Sequence, residues 1–169
     1  MTKARIHKAS RSLQIKAGTG DIAEEKITQA EVVIEQNTED FAPIAKEFLD
    51  RLLNGIQVAM AEGADLSKNQ ILKMGMTQPV MELKANARMF KYDLVTSLAN
   101  IMLGFLENVK ELDKDAIQIV DAHHKTLSAI VLKKMAGNGG ANGALLQTEL
   151  EDAVERYFSK RRKTTASPS

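Results

Sequence analysis

The side chains of this chain best suited to nucleophilic chemistry are three imidazoles, His7, His123 and His124, and their placement limits what they can do. His7 carries no motif around it. His123 and His124 are adjacent, so on a helix they point about 100° apart and at most one can face a given partner. The simplest reading of either is a helix histidine with a satisfied hydrogen bond. With no cysteine in the chain and no carboxylate partner at helical i, i+4 spacing, the pair makes no closed ligand set, and no metal is expected. No nucleophile with a base and no nucleotide-binding loop can be assembled either, so neither an enzyme nor a cofactor is expected.

A more informative constellation is Met81-Glu82-Leu83-Lys84-Ala85, followed by Arg88, Phe90, Tyr92, Leu94 and Val95. On a helix Lys84 lies beside Met81, three residues on. Further along, Ile117 to Thr126 reads IQIVDAHHKT. Together these segments resemble histidine-containing phosphotransfer (HPt) domains of a type common in alphaproteobacteria. There the active helix reads H-[DS]-[IL]-K-G, then a Phe, then an aromatic-x-Leu-Val start to the next helix. A later family helix reads I-x-x-V-D-A-H. The resemblance spans Ser67 to Tyr157 and departs at two positions: Met81 stands where the family has its phosphoacceptor histidine, and Ala85 where it has a glycine.

The first departure decides the chemistry that the resemblance implies. Phosphotransfer needs an imidazole nitrogen to attack an aspartyl phosphate. A thioether is uncharged and a very weak acceptor, so Met81 cannot take that role. The resemblance therefore implies a non-catalytic docking protein for a response-regulator receiver domain or a histidine kinase. Met81, Lys84, Ala85 and Arg88 would form the contact surface, with Phe90 and Tyr92 bracing it. Lys84, which active members use to neutralise phosphate charge, is left for docking. His124 is the candidate surrogate phosphoacceptor, but Thr126 and Leu127, not lysines, stand three residues after the two histidines. On the apolar stripe Ile117, Val120, Leu127, Val131 and Met135, His124 is expected near the core boundary and His123 further out.

The elements that must position these residues read as helices. Asp21 with Glu24 makes a capping-box-like start. A stronger amphipathic run follows at Phe41, Ile44, Phe48, Leu52, Ile56 and Ala59, with a break or bend expected between Gln36 and Pro43. Gly63 ends it and Ser67 can cap the next helix, whose core stripe is Leu72, Met76, Val80, Leu83, Ala87 and Phe90. Gly75 and Pro79 predict a kink ahead of the motif. Helices from Asp93 to about Lys110 and from Asp113 to Ala136 come next. Gly137 to Gly143 reads as a flexible connector, and the final helix carries Leu145, Leu146, Leu150, Ala153, Val154, Tyr157 and Phe158. Strand signals are nearly absent.

The expected fold is therefore all-α, an up-and-down four-helix bundle with additional N- and C-terminal helices. The resemblance implies the same architecture. Residues 21–159 are expected as the helical domain, between flexible basic tails at 1–20 and 160–169.

The formal charge of +1 hides a segregation of sign. Residues 1–20 hold five Lys or Arg and no acid, and 160–169 hold four more; removing these nine leaves 14 basic against 22 acidic residues, a net of −8 for the body. Such ends either stay solvated, fold against the acidic body or an acidic partner, or touch an anionic membrane surface; nucleic acid is not the favoured partner. No apolar run reaches about 18 residues, so a cytoplasmic protein is the expectation. The competing function is a structural or adaptor bundle that acts by self-association, as a homodimer, or by surface attachment.

Overall fold

A computed structural model describes residues 23–35, 40–62 and 69–165, with the side chains of 34, 35 and 163–165 excepted. Among the described residues there are six helices and no strand: α1 (Glu24–Glu35), α2 (Phe41–Glu62), α3 (Asn69–Met89), α4 (Asp93–Asn108), α5 (Lys114–Leu132) and α6 (Gly140–Thr165). The chain divides into two compact units at 38/39, inside the 21–159 span expected as one domain. The basic segment 1–20, the Asp21 cap, Gly63 and the Ser67 cap lie outside the described residues. In the first unit α1 opens with Glu24 and Glu25, which suit the positive end of the helix dipole. Its side chains from Ala23 to Val33 are exposed.

The second unit is built on α2 to α5, where α3 packs on α2 and α4, and α5 packs on the same two helices. Each of the four thus has two of the others as neighbours, and α6 lies against α4 and α5. The start of α2 is capped by Asp40, whose Oδ1 accepts the Ala42 N–H at 3.1 Å. Pro43 sits in the first turn, where its missing N–H costs no helical bond. The buried stripe of α2 is Phe41, Ala45, Leu49, Leu52, Ile56 and Ala59; Ile44 and Phe48, expected inside, are half-buried because the stripe is rotated toward the 41/45/49 row.

Helix α3 buries Leu72, Met76, Val80, Leu83 and Ala87 as its periodicity predicts, and Pro79 with them. Pro79 has no N–H to offer the carbonyl of Gly75, so that oxygen has lost its helical partner. Helix α2 comes close over this spot through Gly55, where an added Cβ would lie 3.0 Å from the Gly75 oxygen. Helix α4 buries Leu94, Val95, Leu98, Ala99, Met102, Leu103, Phe105 and Leu106, a wider arc than one stripe, because three helices surround it.

Helices α3 and α5 end in the same way. The Tyr92 N–H reaches the Ala87 carbonyl at 2.9 Å and the Lys91 N–H that of Arg88 at 3.3 Å; at α5 Met135 reaches Ile130 and Lys134 reaches Val131, both at 3.0 Å. These are Schellman closures with a left-handed residue at C′, Lys91 at φ 60° and Lys134 at φ 50°. The second closure stops α5 at Leu132, short of the Ala136 expected.

The glycine-rich segment is not the free connector its composition suggests. Gly137 donates to the Lys91 carbonyl at 2.6 Å and accepts from the Leu94 N–H at 2.9 Å, which ties the α5–α6 connection to the α3–α4 turn. A Cβ at Gly139 would lie 2.7 Å from Leu94 Cδ2, and one at Gly143 would run into the Asn138 carbonyl. The glycines permit close approach as well as positive φ, and α6 already starts at Gly140.

The basic end also differs from the tail expected at 160–169, since α6 continues to Thr165. Arg161 stacks its guanidinium 3.5 Å over the Tyr157 ring and pairs with Asp113, the residue whose Oδ1 caps α5 through the Ala116 N–H. Lys160 reaches Asp115 at 3.4 Å. Lys160 and Arg161 thus fold onto the acidic body. Burial and the neighbouring Asp113 carboxylate raise the Tyr157 hydroxyl pKa to about 12.

Candidate docking face on the third helix

The buried stripe of α3 fixes what its other side presents. Ile71, Met74, Gln78, Met81, Ala85, Arg88 and Met89 all point away from α2 and α4 into solvent. The large apolar members are open to solvent, Ile71 at 72%, Met74 at 61%, and Met81 and Met89 at 57% each. At 1.5 Å per residue this strip runs about 27 Å from Ile71 to Met89. Soluble surfaces carry single exposed apolar residues without consequence, whereas a row of them is a candidate interaction site.

Of the residues singled out from sequence, Met81, Ala85 and Arg88 lie on this face, and half-buried Lys84 borders it on the α4 side. Among the described residues neither Lys84 nor Arg88 belongs to an ion pair. Glu82 on the opposite border is neutralised: Arg51 of α2 grips it through two hydrogen bonds of 2.6 and 3.1 Å, and this contact lowers the Glu82 carboxyl pKa. The face therefore presents a thioether-rich strip with positive charge toward its C-terminal end.

Phe90 and Tyr92 are brought to that end, below the face rather than on it. The Phe41 ring lies 5.2 Å from Phe90 and 4.7 Å from Tyr92, so α2, α3 and the α3–α4 turn share one aromatic cluster. Asp40 and Lys134, 2.8 Å apart, link the start of α2 to the end of α5. Tyr92 is buried and Phe90 half-buried, positions suited to holding the last turn of α3 in place.

The histidines of α5 are not part of this face. His123, expected further out than His124, is the more deeply buried, at 0% exposure against 9%. The reason is that α5 carries a second stripe, Ala116, Val120, His123, Leu127 and Ile130, beside Ile117, His124 and Val131, and both are covered. His123 Nδ1 donates to the Ile119 carbonyl at 2.9 Å, which leaves Nε2 as a buried acceptor without a hydrogen bond. Burial pushes the His123 pKa below its ordinary value against that hydrogen bond. Burial does the same at His124, opposed by the Leu49 carbonyl and by Asp121 and Asp50. His124 Nδ1 lacks a hydrogen bond of good geometry, and Nε2 reaches Ser128 Oγ at 3.4 Å. His123 is thus fully enclosed, and His124 keeps 9% of its surface exposed.

Ile71, at the N-terminal end of the face, was not singled out from sequence, whereas Met74 belongs to the run of methionines between Met60 and Met89 that could serve either as core filler or as a binding surface. The signal for Ile71 was present: apolar residues at helical spacing on the side opposite Leu72 and Met76. Among the described residues no group of His, Asp and Glu is placed to hold a metal ion, and no helix is long and apolar enough to cross a membrane. Comparison with protein-family models, with curated proteins and with solved structures finds no match to this chain.

Proposed function

We propose that the chain is an HPt-like docking protein that binds a receiver domain or a histidine kinase through α3 and carries no phosphoryl group. On this reading α2 to α5 form the up-and-down four-helix bundle of such a protein, α1 and α6 are additions, and the site of action is the cytoplasm. The observation that carries the proposal is the outward placement of Met81. The position that corresponds to the phosphoacceptor is 57% exposed, with Ala85 and Arg88 on the same face and Lys84 at its edge. A receiver that approaches this face meets an apolar strip and cations but no nucleophile. Both helix-borne imidazoles are enclosed elsewhere, so the chain would sequester a partner or compete with an active phosphotransfer protein for it.

The test is affinity co-purification of the tagged chain from its native cells, with Lys84→Glu/Arg88→Glu as control and partners identified by mass spectrometry. The wild type is expected to recover a receiver-domain protein or a histidine kinase, and the control to lose it with helicity unchanged. Recovery of that partner by the control at the same level would overturn the mapping. Incubation of the wild type with the radiolabelled, phosphorylated partner should leave it unlabelled.

A further inference from the structure

Three Asn-Gly pairs occur in the chain, Asn54–Gly55, Asn138–Gly139 and Asn142–Gly143. In such a pair the backbone nitrogen of the glycine can attack the side-chain amide carbon of the asparagine, with no Cβ on the second residue to shield it. The attack needs an N–H free of strong hydrogen bonds and a backbone that can turn toward the side chain. The fold treats the three pairs differently. Asn54–Gly55 lies in the interior of α2, where the helical ladder engages the Gly55 N–H. Asn142–Gly143 lies in the first turn of α6, and the Gly139 carbonyl holds the Gly143 N–H at 3.0 Å.

Asn138 and Gly139 stand between α5 and α6, outside both helices, and Asn138 is exposed. Among the described residues the Gly139 N–H finds no acceptor in good hydrogen-bond geometry. Asn138 Oδ1 accepts the Gly140 N–H at 2.9 Å. This Asx turn closes a ring that contains both the Asn138 Cγ and the Gly139 nitrogen, so electrophile and nucleophile are held together. The Gly140 N–H also polarises the amide carbonyl and faces the oxygen on which negative charge develops during attack.

We propose that Asn138 is a deamidation site of the folded chain, and that its isoaspartyl product releases the tie between the α5–α6 connection and the α3–α4 turn. Hydroxide takes the Gly139 amide proton, the nitrogen bonds to Asn138 Cγ, and the side-chain nitrogen leaves as ammonia with a proton from water. Water then opens the cyclic imide at either carbonyl carbon. One opening gives aspartate with the main chain unchanged, its carboxylate at the start of α6, where the helix dipole suits it. The other gives isoaspartate, whose main chain runs through Cβ and Cγ and gains a methylene between residues 138 and 139. The fold leaves no room for it: a Cβ at Gly139 would already lie 2.7 Å from Leu94 Cδ2, and one at Gly143 would meet the Asn138 carbonyl. The bonds that give are the adjacent ones, from the Gly137 N–H to the Lys91 carbonyl and from the Leu94 N–H to the Gly137 carbonyl. The inference does not rest on the docking function.

The test uses the full chain, folded, incubated at mildly alkaline pH in heavy-oxygen water, with a parallel sample unfolded in urea. Fragment spectra of tryptic peptides locate the amide-to-acid conversion and its oxygen label, and chromatography separates the aspartyl from the isoaspartyl form. In the folded chain Asn138 is expected to convert about tenfold or more faster than Asn142 and Asn54, because freeing a helical N–H adds to the barrier. In urea the three rates should converge. The isoaspartyl protein should exchange its Leu94 N–H faster than the unmodified protein. Conversion of Asn142 or Asn54 as fast as Asn138 in the folded chain, or no conversion of folded Asn138 in the time the urea sample converts, would overturn the site. Unchanged exchange at Leu94 in the isoaspartyl form would overturn the release.

Discussion

On the proposed reading, the outer face of α3 and the inner face of α5 divide between them what a phosphotransfer site has to combine. Helix α3 offers access without a nucleophile: Met81 is open to solvent, with Arg88 beside it and Lys84 at the border. Helix α5 offers imidazoles with little access: His123 and His124 are 0% and 9% exposed, and the better-buried ring has an unsatisfied Nε2. Burial and basicity are linked, since the enclosure that keeps a phosphoryl group away also drives both histidines toward the neutral form. Reactive residue types at the right periodicity are therefore not evidence of a reactive site. The face they occupy decides.

The largest effect should come from the two sides of α3 itself. Leu83 is 1% exposed and Met81 lies two residues away on the opposite side. Leu83→Ala should lower the unfolding free energy by about 2–5 kcal/mol in a denaturant titration, through lost transfer energy and the cavity left behind. Met81→Ala should stay within about 0.5 kcal/mol of the wild type. Similar losses from the two would erase the distinction between a buried and a docking face.

The α5 side should show itself through pH. Both histidines have folded-state pKa values below the ordinary 6.5, so on acidification the unfolded chain takes up protons first. Stability is full above about pH 6.5 and falls as the pH drops below it, at up to about 1.4 kcal/mol per pH unit per histidine until the folded values are reached. Urea titrations from pH 7.5 to 5.0 measure the slope. His123→Leu should flatten it by one proton's worth and, by removing an unsatisfied buried nitrogen, leave stability at pH 7.5 close to wild type. A wild-type slope near zero would mean that the rings are more accessible than their packing indicates.

How much of this was legible beforehand differs between the same two regions. The inner stripe of α3 from Leu72 to Ala87 was readable because α2 and α4 together cover a single stripe of it. The order of His123 and His124 was not, because α5 is covered over two adjacent stripes and a one-stripe reading leaves His123 outside. The glycine-rich segment looked like a connector because nothing local reveals that Gly139 and Gly143 must clear Leu94 and Asn138, residues brought there only by folding. Arg161 looked like a tail residue for the same reason, its partner Asp113 being 48 residues away. Periodicity reports one interface at a time, and contacts that need a second are hidden from it.

The crossing of α2 and α3 separates helix propensity from packing at a smaller scale. A Cβ on Gly75 meets nothing within 4 Å, so Gly75→Ala should raise stability by about 1 kcal/mol, the ordinary gain for a helix interior. A Cβ on Gly55 meets the Gly75 carbonyl at 3.0 Å and Met76 Cγ at 3.1 Å. Gly55→Ala should forfeit that gain and come out neutral or destabilising, because α3 must shift by a few tenths of an ångström. Equal gains at the two positions, read from urea midpoints, would show that the helices do not approach this closely.

The smallest effect concerns the turn that joins the candidate docking face to the core. Lys91 and Lys134 both close a helix with positive φ, a conformation in which a side chain costs about 1 kcal/mol relative to glycine. Lys91→Gly should therefore stabilise the fold by up to about 1 kcal/mol, less the entropy that glycine restores to the unfolded chain. Lys134→Gly should gain less, since it also removes the pair with Asp40 at the start of α2. The two substitutions part company in binding. Lys91 lies next to the basic end of the α3 strip and Lys134 is engaged with Asp40, so Lys91→Gly should weaken affinity for an acidic partner and reduce its salt dependence, while Lys134→Gly should leave both unchanged. A more stable protein that binds less well would locate the cost of that left-handed lysine on the proposed docking side of the molecule.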